Sequence, residues 1–187
     1  MLVRPRLVGI RRYDDEVLDL FHECFCRLPL CAIVERGCLV VHGGLPSDPR
    51  ATVDDIRAAE RRGEPPERGL VCDLLWSDPQ PFPGRQPSRR GVGLSFGPDV
   101  TKAFLDRNAM RLVIRSHEVR EQGYEMEHGG LLVTLFSAPN YCDAVGNKGA
   151  FVHLGRDLQP RFTTFSAAPH PPIRAMAYSS LAMLGFT

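Results

Sequence analysis

Three short apolar runs in this chain stop abruptly at polar residues able to do chemistry. Cys38-Leu39-Val40-Val41 ends at His42-Gly43-Gly44, Leu112-Val113-Ile114 at Arg115-Ser116-His117-Glu118, and Leu131 to Phe136 at Ser137-Ala138-Pro139-Asn140-Tyr141-Cys142. Runs of this length beside glycine, proline or polar clusters predict buried strands. In α/β folds the loops at the carboxyl ends of strands converge, so ligand sites collect there. The pattern predicts an α/β fold with one shared site beyond those strand ends.

The remaining periodicities fill in the frame. Asp14 and Asp15 offer N-cap chemistry to Val17, Leu18, Phe21, Cys24, Phe25 and Leu28, whose spacing predicts an amphipathic helix ending before Pro29. Asp99 and Thr101 open a second helix through Phe104 and Leu105, Gly129-Gly130 reads as a hairpin turn, and Ala150 to Leu154 reads as another strand. Between Pro46 and Ser95 the chain is rich in Pro, Gly, Arg and Asp. That stretch predicts a long surface connection with a short helical patch at Val53 to Arg61 and an apolar Leu74-Leu75-Trp76. The tail from Pro169 predicts a short terminal helix carrying Met176, Ala177, Leu181, Met183 and Leu184. Neither an internal repeat nor a linker to a second domain is visible.

Bulk properties narrow the partners. The 187 residues carry 23 Lys plus Arg against 22 Asp plus Glu, a formal charge of +1. No whole-molecule field points to nucleic acid or to a membrane, and any anion binding must be local. There is no apolar stretch of membrane-spanning length and no secretory signal pattern, so a cytoplasmic and/or nuclear location is expected. The six cysteines lack paired C-x-x-C spacing and read as reduced thiols, with Cys24, Cys26 and Cys38 expected in apolar packing.

His42 and His117, each at a strand end, can offer a neutral imidazole nitrogen to a divalent metal, although a histidine there also serves as a hydrogen-bonded core residue. Arg89-Arg90 before Gly91 can grip phosphate with a planar guanidinium or form a solvated basic turn. Tyr141 can bond at a rim or simply pack. Trp76 reads as a core anchor, and Asp73 and Asp78 as turn or capping residues. His22, His128, His153 and His170 show no partners.

In this order VHGGL (41–45), LLWSDP (74–79), RRGVG..FG (89–97), RSHE (115–118) and SAPNYCD (137–143) resemble the phosphoprotein phosphatase family. The resemblance covers about residues 13–187, identified as the C-terminal half of a serine/threonine phosphatase catalytic domain, while residues 1–12 diverge. It implies part of a metallophosphoesterase αβ sandwich, with mixed β-sheets flanked by helices and the N-terminal half lacking. It also implies two divalent metal ions, manganese, iron or zinc, that activate water against phosphoserine or phosphothreonine in phosphoprotein substrates. By that resemblance His42 and His117 are ligands of one ion, Arg90 grips the phosphate, and Tyr141 lies beside it in a loop that toxin inhibitors contact. Cys142 is then an exposed rim cysteine, and Trp76 lines a nearby groove.

The family's Gly-Asp-x-His-Gly, Gly-Asp-x-Val-Asp-Arg-Gly and Gly-Asn-His-Glu motifs do not occur in this sequence. By resemblance they supply the bridging aspartate, the other ligands, a second arginine and the general-acid histidine. The expected metal site is therefore incomplete, and no catalytic general acid is expected here. A tetratricopeptide-repeat domain, found in one branch of the family, is absent too, so chaperone binding through it is not expected. Two readings stay open: a phosphatase by family, or a non-catalytic fragment that binds regulators or a complementary half.

Overall fold

The valine- and leucine-rich runs form the middle of a five-stranded sheet. The computed structural model describes residues 14–60 and 63–170. Strands β1 (Cys31–Val34), β2 (Cys38–Val41), β6 (Leu112–Arg115), β7 (Tyr124–Glu127) and β8 (Leu132–Leu135) lie in the order β1-β2-β6-β8-β7. β2, β6 and β8 run parallel, with Val40 opposite Ile114 and Arg115 opposite Thr134, and antiparallel strands close both edges. The central strands are apolar on both faces because both are covered. One face packs Leu39, Val113 and Leu132 with Leu45, Leu74, Phe96 and Leu105, and the other gathers Cys38, Leu112, Ile114 and Val133. Each of these larger side chains contributes roughly 1.5–3 kcal/mol by leaving water.

The chain between β2 and β6 is far more structured than its composition predicts. It forms α2 (Val53–Ala58), α3 (Leu70–Trp76) and a small sheet in which β5 (Leu94–Phe96) lies between β3 (Asp78–Pro79) and β4 (Arg85–Pro87). This corrects the expectation of a long surface connection from Pro46 to Ser95, since Cys72, Leu74 and Ser77 in it are buried. Short strands of two or three residues have too few positions to show alternation, which is why the sequence pattern hides them. Thr52 and Asp55 form a capping box at α2. Helix α4 (Pro98–Arg107) starts with Pro98 at its first position, where a missing N–H costs nothing.

Beyond β8, the antiparallel pair β9 (Gly149–Leu154) and β10 (Pro160–Phe165) includes one strand that periodicity did not reveal. Tyr124 stacks on Phe162 with ring centroids 3.9 Å apart, joining this pair to β7. These elements belong to the unit Pro29–Ala167; a second unit comprises Met1–Leu28 with Ala168–Thr187. Within that second unit, α1 (Asp15–Cys26) is capped by Asp14, whose carboxylate accepts from the Val17 N–H at 2.9 Å. Leu18 is buried while Leu20, Phe21, Phe25 and Leu28 are exposed. Cys24 is exposed and Cys26 half-buried, which corrects the expected core packing of both; Cys38 is buried as read. The predicted terminal helix lies beyond residue 170, outside the described residues.

Gly43 is where β2 meets α3. Its N–H donates to the Leu74 carbonyl at 2.8 Å, and a Cβ there would lie 2.5 Å from the Leu75 carbonyl carbon and 2.7 Å from the Trp76 nitrogen. Backbone on both sides of the contact leaves no rotamer to give way. Gly43→Ala is expected to destabilise the chain by about 2 kcal/mol in urea unfolding followed by circular dichroism.

Candidate metal and phosphate site

The parallel ladder carries His42 and His117 out of the sheet side by side. The Ser116 N–H donates to the His42 carbonyl at 3.0 Å, extending the β2–β6 pairing past both strand ends. His117 then takes a left-handed backbone (φ 67°), uncommon for a residue with a Cβ and frequent where a side chain must be aimed. The result is a face-to-edge pair of imidazoles with His42 Nε2 3.2 Å from His117 Nδ1. Trp76, at the end of α3, meets the His117 ring edge-on at 5.5 Å between centroids. It is half-buried at this site, not the core anchor its residue type suggested.

Arg90 reaches the pair from the loop between β4 and β5. Its Nε donates to Asp78 Oδ2 at 2.6 Å, and its Nη2 lies 3.5 Å from the His117 carbonyl oxygen. Asp78 also takes Arg115 Nη2 at 2.7 Å on its other oxygen, so one carboxylate joins two guanidinium groups. This corrects the reading of Asp78 as a turn residue. Asp73, read likewise, is buried inside α3 and caps no helix; it accepts from the Ser47 N–H at 2.8 Å and ties the loop after β2 to that helix. Arg89 is exposed at the turn.

Charge and burial act together on these groups. Burial would raise the Asp78 pKa, but hydrogen bonds from Arg90 and Arg115 override it and hold the carboxyl below its usual range. The bond to Asp78 keeps Arg90 firmly cationic. Desolvation, then the charges of Arg115 and Arg90, lowers the His42 pKa. His117 is pushed down to about 4, chiefly by desolvation and next by Arg90. Both rings are thus held neutral near pH 7, the state in which imidazole donates a lone pair to a metal.

Tyr141 and Cys142 occupy a tight turn (Tyr141–Asp143) after β8, with Asn140 and Cys142 both at positive φ. The buried amide of Asn147 organises this loop, accepting from the Tyr141 N–H at 2.8 Å and donating to the Ala138 carbonyl at 2.9 Å. The Tyr141 ring packs edge-on against Phe136 and is 42% exposed; the Cys142 thiol is exposed and free. The structure therefore gathers His42, Arg90 and Trp76 around His117, each in contact with it, while Tyr141 and Cys142 are fixed through their own loop. Sequence reading missed the bond between Asp78 and Arg115, 37 positions apart, and the role of Asn147, whose loop partners lie six and nine positions away with no periodic pattern to mark them. It also left His128 without partners, whereas that ring bonds the Thr101 hydroxyl (2.8 Å) and the Gln80 carbonyl (3.0 Å).

The chain matches the family described as calcineurin-like phosphoesterase over residues 4–121, and it belongs to that family. It is similar to serine/threonine-protein phosphatase 5 of Arabidopsis thaliana, with 56% identity over 90% of this chain and 32% of the relative. It is also similar to that of Homo sapiens, with 54% identity over 90% of this chain and 34% of the relative. Serine/threonine-protein phosphatase T of Trypanosoma brucei brucei is 54% identical over 91% of this chain and 36% of its own length. The chain thus spans about a third of the length of the curated relatives it matches. A solved protein serine/threonine phosphatase from Saccharomyces cerevisiae superposes with a TM-score of 0.82 at 41% identity, covering 89% of this chain and 56% of that one. The mixed sheets and helices are those of a metallophosphoesterase.

That family implies divalent metal ions, and the histidine pair fits one of them. Two metal–imidazole bonds of about 2.0–2.1 Å, meeting between a right and a tetrahedral angle, separate their nitrogens by about 2.8–3.4 Å. The 3.2 Å between His42 and His117 lies in that window. His117 Nε2 is buried without a hydrogen-bond partner among the described residues, so Nδ1 is the nitrogen aimed at the pair. Among the described residues no group of three His, Cys, Asp or Glu gathers to hold an ion, so the fit is to two donors of one shell.

A histidine with a depressed pKa binds more protons unfolded than folded between its two values. The stability it contributes is complete above pH 6.5 and is lost as pH falls from 6.5 toward about 4. The urea midpoint of the metal-free chain is expected to drop across that window. His117→Asn should remove its share of the slope and leave the smaller contributions of His42 and His128, both also lowered chiefly by burial.

Proposed function

We propose that this chain supplies one side of a protein phosphatase site that hydrolyses phosphoserine and phosphothreonine in phosphoprotein substrates. The observation that carries this reading is the pair of neutral imidazoles at 3.2 Å beneath a half-exposed arginine. His42 Nε2 and His117 Nδ1 would hold one of two divalent ions, manganese, iron or zinc. When bound, the ions supply an activated water and neutralise charge on phosphorus. Arg90 turns one edge to Asp78 and leaves the other for phosphate oxygens, where a guanidinium can bind two at once. Trp76 limits water at the His117 edge, and Tyr141 and Cys142 form the rim beside the phosphate.

The two-donor set favours a second reading of the chain by itself. The described residues bring no bridging carboxylate or further histidine to the pair. Groups that act as a unit lose nearly all their rate when members are removed. On this reading the isolated chain binds a complementary segment or regulator and turns over nothing alone.

An assay on a phosphopeptide with Mn²⁺ separates the two. The chain alone is expected to be inactive, and adding the preceding segment of a related phosphatase should restore turnover. His117→Asn should then abolish the restored rate, and Arg90→Ala should cut kcat/KM about 100-fold. Restored turnover indifferent to His117→Asn would sink the metal assignment, and turnover by the chain alone would sink the second reading.

A further inference from the structure

Arg115 is the largest fully buried side chain among the described residues, with 1% of its surface exposed. A permanently charged guanidinium is tolerated in such a place only where its donors are matched. Nε donates to the Gly43 carbonyl at 2.6 Å and Nη1 to Glu118 Oε2 at 2.7 Å. Nη2 donates to the Ser77 carbonyl at 3.1 Å and to Asp78 Oδ1 at 2.7 Å. Every acceptor adjoins a residue of the site. Gly43 follows His42, Ser77 follows Trp76, Glu118 follows His117, and Asp78 holds Arg90.

We propose that Arg115 is a positioning residue whose planar fork sets the spacing of His42, His117, Trp76 and Arg90 without touching metal or phosphate. The assignment of those four rests on the function proposed above, but the spacing itself is a property of the metal-free chain. The shape of the group matters as much as its charge. Five N–H donors in one plane can span acceptors from three separate segments, whereas a lysine ammonium is a point charge on a flexible stem. Glu118 is braced independently, because Arg120 Nη2 binds it at 3.2 Å while also holding Glu127. Loss of the Arg115 fork should therefore free the Gly43 and Ser77–Asp78 segments while Glu118 stays in place.

A residue that only stabilises the core would give a different outcome from one that sets this spacing, and nuclear magnetic resonance on the full chain tells them apart. Three readouts serve: the nuclear Overhauser contact between the His42 and His117 rings, solvent exchange of the Arg90 Nε–H, and broadening of both rings by added Mn²⁺. Arg115→Lys is expected to remain cooperatively folded yet lose the ring contact. Arg90 Nε–H exchange and the Mn²⁺ concentration for half-broadening should each rise at least about tenfold. Val133→Ala, a core truncation on the other face of the sheet, should lower stability and move none of the three.

Wild-type ring contact and Arg90 exchange in Arg115→Lys would overturn the proposal, as would the same losses in Val133→Ala. Should Arg115→Lys not fold, Asp78→Asn decides. The amide oxygen can still accept from Arg115 but offers Arg90 no carboxylate, so Arg90 exchange should rise while the ring contact persists. Loss of the ring contact in Asp78→Asn would place the control in the carboxylate and not in Arg115. Failure of Mn²⁺ to broaden either ring of the wild type would count against the metal assignment alone, because the ring contact is read without metal.

Discussion

Parallel pairing of β2 with β6 decides where everything else in the site can lie. It is the only reason that His42 and His117, 75 residues apart, present ring nitrogens to each other. Parallel neighbours need a long crossover, and in this chain the crossover carries Trp76, Asp78 and Arg90. A slip of one residue in the ladder would turn every side chain of β2 to the opposite face. The fully buried Leu39 and Val113 therefore hold the register, and the register holds the histidines.

The electrostatics follow from that juxtaposition. Two guanidinium groups flank the histidine pair, Asp78 bridging them and Glu118 bonded to Arg115, so their charge is matched within the site, in a chain that is almost neutral as a whole. Desolvation first and the arginine charges second keep the imidazoles unprotonated, and the open edge of Arg90 favours an anion above them. Net charge could not reveal the arginines gathered here, because the carboxylates that pair with them meet them only on folding.

The long elements were legible because their patterns are local. Asp14 capping α1, the apolar runs of β2, β6 and β8, and the helix read from Asp99 through Leu105 all follow from neighbours a few positions away. β3, β4 and β5 were not legible, being too short to show a period. Trp76 was read from its residue type as a core anchor, and only folding shows it half-buried against His117. Asp78 and Arg115 look like ordinary turn and strand-end charges, and only folding reveals that they share a bond across 37 positions. Cys24 was misplaced because apolar neighbours in sequence do not say which face of a helix is covered.

The two halves of the site stand on different scaffolds. The histidines leave the large sheet, whereas Arg90 rides on the hairpin between β4 and β5, whose turn includes Gly91 and Gly93 in left-handed conformations. A hairpin tip tolerates changes of length that a central strand does not. Evolution can therefore lengthen, shorten or recompose this loop to adjust how far the arginine reaches over a peptide, leaving the imidazole pair untouched.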